Sequence, residues 1–238
     1  MLKRHIFGLA VALSAMTETV VPASAASFII NGSFESFSGP ALFGQGFLPD
    51  PWVTVPVGAD VYSNDGSYGL SPSDFGNFTG VTAYDGIRFV AGWSLVPERF
   101  GESLAAPLVA GATYNITGAL HQALRSDLDH PGGYNVYAAT GLNDALPLFL
   151  VSTGATTNDT AWEPFSVNFT ASNGVDSRPF LLFIPFDTGN GFAYPGFDAF
   201  ALVATPVPAA LPLFATGLGM MGLLGWRRKR KDTAAIAA

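Results

Sequence analysis

The sequence predicts an all-β fold, one antiparallel β-sandwich of the jelly-roll, galactose-binding-like kind, and three observations predict it. From Ser27 to Thr205 no helical period is sustained. The same stretch breaks instead into short runs of β-branched and aromatic residues separated by Gly, Pro, Asn and Asp. The runs start at intervals near the ~8–12 residues of strands joined by turns, or somewhat longer. A chain of 238 residues suits one domain of about 150–200 residues with appendages. With 49% hydrophobic and 12% charged residues it lacks the polar, highly charged make-up of a disordered chain.

In chain order the runs are FIIN (28–31), WVTV (52–55), GIRFVAGW (86–93), TYNITGAL (113–120), GYNVYAA (133–139), PLFLV (147–151), FSVNFT (165–170), FLLFIPF (180–186) and FDAFALV (197–203). Alternation assigns faces within them: Tyr114, Ile116, Gly118 and Leu120 share one side, and so do Asp198, Phe200 and Leu202. The Gly-, Ser- and Asp-rich stretch 56–86 reads as a long loop. HQALRSDLDHPGG, which begins at His121, reads as a solvated loop between strands.

The two ends read as addresses, an N-terminal signal helix and a C-terminal transmembrane helix. Lys3 and Arg4 precede an apolar run from Ile6 to Met16 and the small residues Ala23-Ser24-Ala25, the pattern of a secretory signal peptide over 1–26. At the other end, 209–226 hold 18 residues without charge, enough for a membrane span. Arg227, Arg228, Lys229, Arg230 and Lys231 follow at once, a stop-transfer cluster that keeps the tail cytoplasmic. Between the ends lies an ectodomain, 27–205.

The tail PVPAALPLF, with Pro206, Val207 and Pro208 as its motif, then a Gly/Leu-rich span and a basic cluster, resembles the PEP-CTERM sorting signal of Gram-negative bacteria. The usual Pro-Glu-Pro is here Pro-Val-Pro. The resemblance implies an inner-membrane intermediate, cutting near the motif by an exosortase, and passage to the cell surface or extracellular matrix. A plain single-pass anchor is the alternative. A second resemblance lies in INGSFES with Pro51-Trp52, in LVAGATYNITGAL, in WEPFSVNFT and in the closing GFDAFALV. These are similar to strands of carbohydrate-binding modules with the galactose-binding-like jelly roll. That resemblance implies a structural calcium ion held by Glu35 and Asp198. The residues alone equally allow a solvated turn at Glu35 and a strand cap at Asp198.

Charge and motifs narrow the chemistry. Residues 27–205 carry 16 acids against Arg88, Arg99, Arg125 and Arg178, with no Lys, which excludes a nucleic-acid surface. With no Cys in the chain, disulfides, thiolate metal sites and Cys nucleophiles are excluded. G-x-S-x-G, H-E-x-x-H and P-loop patterns are missing, and the EF-hand register from Asp127 puts Ala138 where a bidentate Glu is required. Glu98, Glu102 and Glu163 are the carboxyls from which a glycosidase pair could be drawn. Trp52, Trp93 and Trp162 read as core, and Tyr62, Tyr68 and Tyr84, in the long loop, as ligand-binding aromatics. The functional expectation is an exported, non-catalytic surface protein that associates with exopolysaccharide or biofilm and binds glycan. The alternatives are a polysaccharide-active hydrolase using Glu98 or Glu163 and an anchored structural protein.

Overall fold

The structure, a computed structural model, describes residues 26–37, 46–96, 98–189 and 191–205. The signal peptide apart from Ala26, the sorting motif Pro206-Val207-Pro208, the span 209–226 and the cluster 227–231 lie outside these residues. Among the described residues no helix is long and apolar enough to cross a membrane.

Ten strands are formed: β1 (Val53–Thr54), β2 (Asp60–Ser63), β3 (Arg88–Ala91), β4 (Phe100–Ser103), β5 (Thr113–His121), β6 (Gly132–Ala139), β7 (Leu148–Ser152), β8 (Glu163–Thr170), β9 (Phe180–Asp187) and β10 (Gly196–Ala204). They make two five-stranded antiparallel sheets, ordered β1-β4-β9-β6-β7 and β2-β3-β10-β5-β8. Most connections carry the chain from one sheet to the other, as in a jelly roll.

The alternation read in the sequence is borne out on β5, where Tyr114, Ile116 and Leu120 enter the core between the sheets. On β10 it is corrected. The register against β5 slips between Asp198 and Ala201, and Ala199 takes φ 53°. The extra residue turns the strand, so Phe197, Phe200 and Leu202 all point inward although the first two are three positions apart. Around them stand Trp52, Phe34, Phe100, Phe183 and Tyr134, with Phe197 4.8 Å from Phe200, 5.4 Å from Phe183 and 5.1 Å from Tyr134 between ring centroids.

Three other assignments change. Residues 28–31 form no strand, although Phe28 donates its N–H to Leu202 and accepts from Ala105. Asn31, at φ 56°, turns the chain there and accepts the indole N–H of Trp52 on its carbonyl. The stretch 56–86 contains β2, and β4 appears in FGES, which carries too little β-branched character to announce a strand.

The second sheet is covered on its outer face as well. Val61 and Val90 point into the main core, so their neighbours Tyr62, Phe89 and Ala91 point outward. There they pack with Phe78, Ala123, Leu128 and Tyr194 in a smaller aromatic core. Gly196 makes this approach possible: a Cβ at that position would sit 3.2 Å from Phe78 and 3.4 Å from Trp162. His121 ends β5 and is 2% exposed, and the loop that follows is only partly solvated: Ala123 and Leu128 pack on the sheet while Ser126, Asp127 and Asp129 are exposed.

Phe197→Ala is expected to cost roughly 3–5 kcal/mol, the range for a buried Phe truncation. Val53→Ala, at a side chain 45% exposed, is expected to cost well under half of that. Urea unfolding of the two variants checks the contrast.

Candidate functional site

At one end of the second sheet β2 and β10 begin while β3 and β5 finish, because Asp60 pairs with Ala91 and Gly196 with both Ala91 and His121. The connections that leave this end enclose a pocket of about 150 Å³ lined by Asp60, Phe75, Asn77, Trp93, Glu98, Arg125, Leu128 and Tyr194. Asp60 faces it because Val61, next in the strand, belongs to the core.

The polar groups form a connected set. Tyr194 donates its hydroxyl to Asp60 Oδ2 at 2.6 Å, and the Gly46 N–H reaches Oδ1 at 3.0 Å. Tyr62 donates to the Tyr194 oxygen at 3.2 Å and accepts from Asn77 Nδ2 at 2.9 Å. Glu98 accepts the Trp93 N–H on Oε2 at 2.7 Å. Asn77 Oδ1 and Trp93 Nε1 are buried without a protein partner. Among the described residues the ion pairs are Arg88–Glu35, Arg125–Asp127 and Arg178–Asp144, so neither pocket carboxyl has a cation.

Burial pushes Glu98 up to about 8, against the Trp93 N–H and with the added repulsion of Asp60. Burial likewise raises Asp60, opposed by the bonds from Tyr194 and Gly46. It also raises the hydroxyls of Tyr62 and Tyr194, which therefore keep their protons. The pocket thus combines two carboxyls that resist ionisation, an aromatic wall and an unmatched donor and acceptor.

Of the residues singled out in the sequence, Trp93 and Glu98 line this pocket, and the three tyrosines do not. Tyr62 is fully buried behind the pocket and offers no surface to a ligand. Tyr68 stacks on Phe37 at 4.9 Å, and Arg88 lies over both rings. Tyr84 is 49% exposed, with its ring centroid 6.3 Å from that of Trp162, which lines a separate hollow of about 250 Å³ together with His121 and Asp159. Of the three tryptophans read as core, Trp52 joins the main core, whereas Trp93 and Trp162 pack on the outer one. Of the three glutamates only Glu98 lines the pocket. Glu102 is buried with Ile30 as donor, and Glu163 accepts from Thr156.

Glu35 and Asp198 both bond the turn 84–88, each as an acceptor. Glu35 takes the N–H groups of Ile87 and Arg88 and the Arg88 guanidinium at 2.8 Å. Asp198 takes the N–H groups of Asp85 and Ala199. Carboxylates engaged by N–H donors and an arginine do not fit a calcium ion, and no other acid or His completes a cluster among the described residues.

Neither a known family's sequence pattern nor any characterised protein sequence matches the chain. Solved structures do. A cyclase from Fischerella sp. TAU superposes with TM-score 0.52 and 16% identity over 78% of this chain and all of its own. The Stig cyclase Fisc from Fischerella sp. TAU, in complex with (3Z)-3-(1-methyl-2-pyrrolidinylidene)-3H-indole, gives 0.51 and 17% over 77% of this chain and all of its own. The CBM22-1 xylan-binding domain from Paenibacillus barcinonensis Xyn10C gives 0.45 and 14% over 77% of this chain and 97% of its own. At these identities the two cyclases share the sandwich fold with this chain and nothing finer.

The buried acids set the pH dependence of stability. Burial pushes Glu98 and Glu102 to about 8 and Asp198 to about 7, and raises Asp60. Each binds its proton more tightly folded than unfolded, so stability falls as pH climbs from the ordinary carboxylate range to about 8 and is level above it. His121, lowered by burial, works the other way only up to its ordinary value of 6.5. Asp65, bonded by Ser63, and Asp127, bonded by Arg125, are held below the ordinary value and matter only in stronger acid. The melting temperature is expected to be higher at pH 5 than at pH 8.5, with the difference reduced by Glu98→Gln and by Glu102→Gln. A melting temperature flat or rising over that interval contradicts this reading.

Proposed function

We propose that this chain is an exported cell-surface or extracellular-matrix protein of a Gram-negative bacterium, sorted by an exosortase, whose sandwich binds uncharged polysaccharide in the Asp60–Glu98 pocket. The observation that carries the binding reading is the pocket itself: an indole wall beside convergent polar groups that the protein leaves incompletely matched. A sugar ring presents C–H groups to an aromatic face and hydroxyls that both donate and accept. Asp60 and Glu98 accept such hydroxyls, and Glu98 in its acid form also donates. The acidic ectodomain, with 16 acids and four arginines, disfavours anionic chains. The sorting reading rests on the Pro-Val-Pro motif, the uncharged span and the basic cluster at the C-terminus.

Affinity electrophoresis of the full-length protein through gels containing xylan, β-1,4-galactan, mixed-linkage glucan or alginate tests the binding. Retardation by a neutral polymer and not by alginate is expected, weakened about tenfold or more by Trp93→Ala and by Asn77→Ala and unchanged by Tyr84→Ala. Passage unretarded through every gel removes the binding reading. Sorting is tested by the intact mass of protein from cells with and without the exosortase: loss of the segment beyond the motif only where the enzyme is present is expected, and an unprocessed tail in both leaves a plain anchor.

A further inference from the structure

The binding reading does not account for one property of the pocket. A buried carboxyl, Asp60, and a half-buried one, Glu98, face the same space without a cation, an arrangement that costs folding energy and adds nothing to packing. Asp60 is 4% exposed, and each of its oxygens already accepts a hydrogen bond, from the Tyr194 hydroxyl and the Gly46 N–H. Such donors favour the ionised form and offset part of the burial that raises Asp60. Glu98 has one donor, the Trp93 N–H on Oε2, and Asp60 stands close enough to repel a second negative charge. Arg125 lines the pocket, but Asp127 occupies its guanidinium at 2.5 and 2.9 Å. The remaining ionisable groups around Glu98 are the hydroxyls of Tyr62, Tyr134 and Tyr194, all held protonated by burial. Burial raises both carboxyls, but two donors support a charge on Asp60 and one on Glu98, so of the pair Glu98 holds its proton better. Asn77, 5% exposed, also lines this space, and its Oδ1 is buried beside it without a partner.

We propose that this pocket hydrolyses glycosidic bonds of the neutral polysaccharide it binds, with Glu98 as the general acid and Asp60 as the carboxylate base. Glu98 gives its proton to the bridging oxygen as the bond from that oxygen to the anomeric carbon breaks, and the departing sugar leaves as an alcohol. A water oxygen bonds to the anomeric carbon and passes its proton to Asp60. One water is consumed, and the proton returns from Asp60 to Glu98 through solvent to restore the starting state. Asp60 and Glu98 are catalytic residues in this scheme, and Tyr194, which bonds Asp60 and does not touch the reacting atoms, is a positioning residue.

The inference rests on the binding reading, and its test separates the two. Release of reducing ends from xylan, β-1,4-galactan and mixed-linkage glucan is measured with the full-length protein from pH 5 to 9, beside retardation in the same polymers. The expected result is release that falls away above about pH 8. Glu98→Gln and Asp60→Asn are each expected to reduce release on the order of 10²–10⁴-fold, far more than the weakened retardation that follows from the sugar hydroxyls they bond. Thermal melts confirm that the variants fold, and where Glu98→Gln does not, Asp60→Asn and the wild-type pH profile decide. Retardation without release overturns the catalytic inference and leaves the binding reading standing. Release that Glu98→Gln preserves overturns the assignment of the acid. Neither retardation nor release overturns both.

Discussion

The buried carboxylate of Asp198 is the constraint on which the rest of the structure depends. It accepts the N–H of Ala199, the residue at positive φ that makes the bulge in β10, and the N–H of Asp85 from the turn ahead of β3. Buried backbone N–H groups at a bulge have lost their ladder partners and must find others. By satisfying them Asp198 lets Phe197 and Phe200 enter the same core and ties the turn 84–88 to the central strand. Glu35 holds the other side of that turn, so two acids and one arginine lock the entry to β3 against the second sheet.

From that strand the functional end follows. β10 begins at Gly196, whose missing side chain admits Phe78 and Trp162 onto the outer face. Two residues earlier Tyr194 reaches across to Asp60. A sandwich needs only its inner faces covered, so a second aromatic core on the outside of one sheet is an addition to the minimum fold. It walls the pocket and lowers the polarity around Asp60 and Glu98, which raises both. The same burial makes the folded protein favour acid over mildly alkaline solution, so the chemistry of the site and the stability of the domain have one physical origin.

Much of the fold was legible in the sequence, because long strands with one buried face advertise their period. β5, β6, β8, β9 and β10 were each located to within two residues at either end. β2 and β4, four residues each, are too short to show a period, and FGES has no β-branched residue at all. The bulge in β10 reversed the face of Asp198 and Phe197, since alternation assumes an unbroken ladder. The site was less legible. Glu98 was named among three glutamates, but nothing in the sequence brings it to Asp60, which precedes it by 38 positions and belongs to a strand that was read as loop. Tyr62 was singled out as an exposed aromatic, yet it supports the pocket from behind. One signal was available: Asp60 adjoins the apolar alternation of Val61 and Tyr62, and an acid inside such a run is either at an edge or buried for a purpose.

The most direct test of the account is a titration of the protein, labelled with ¹⁵N at tryptophan, with oligosaccharide fragments of the neutral polymer that retards it most. The indole N–H of Trp93, unpartnered in the pocket wall, is expected to shift with added sugar while those of Trp52, bonded to Asn31, and Trp162, bonded to Thr82, stay in place. A stationary Trp93 resonance, with Trp162 moving in its stead or with none moving, contradicts the assignment of the pocket.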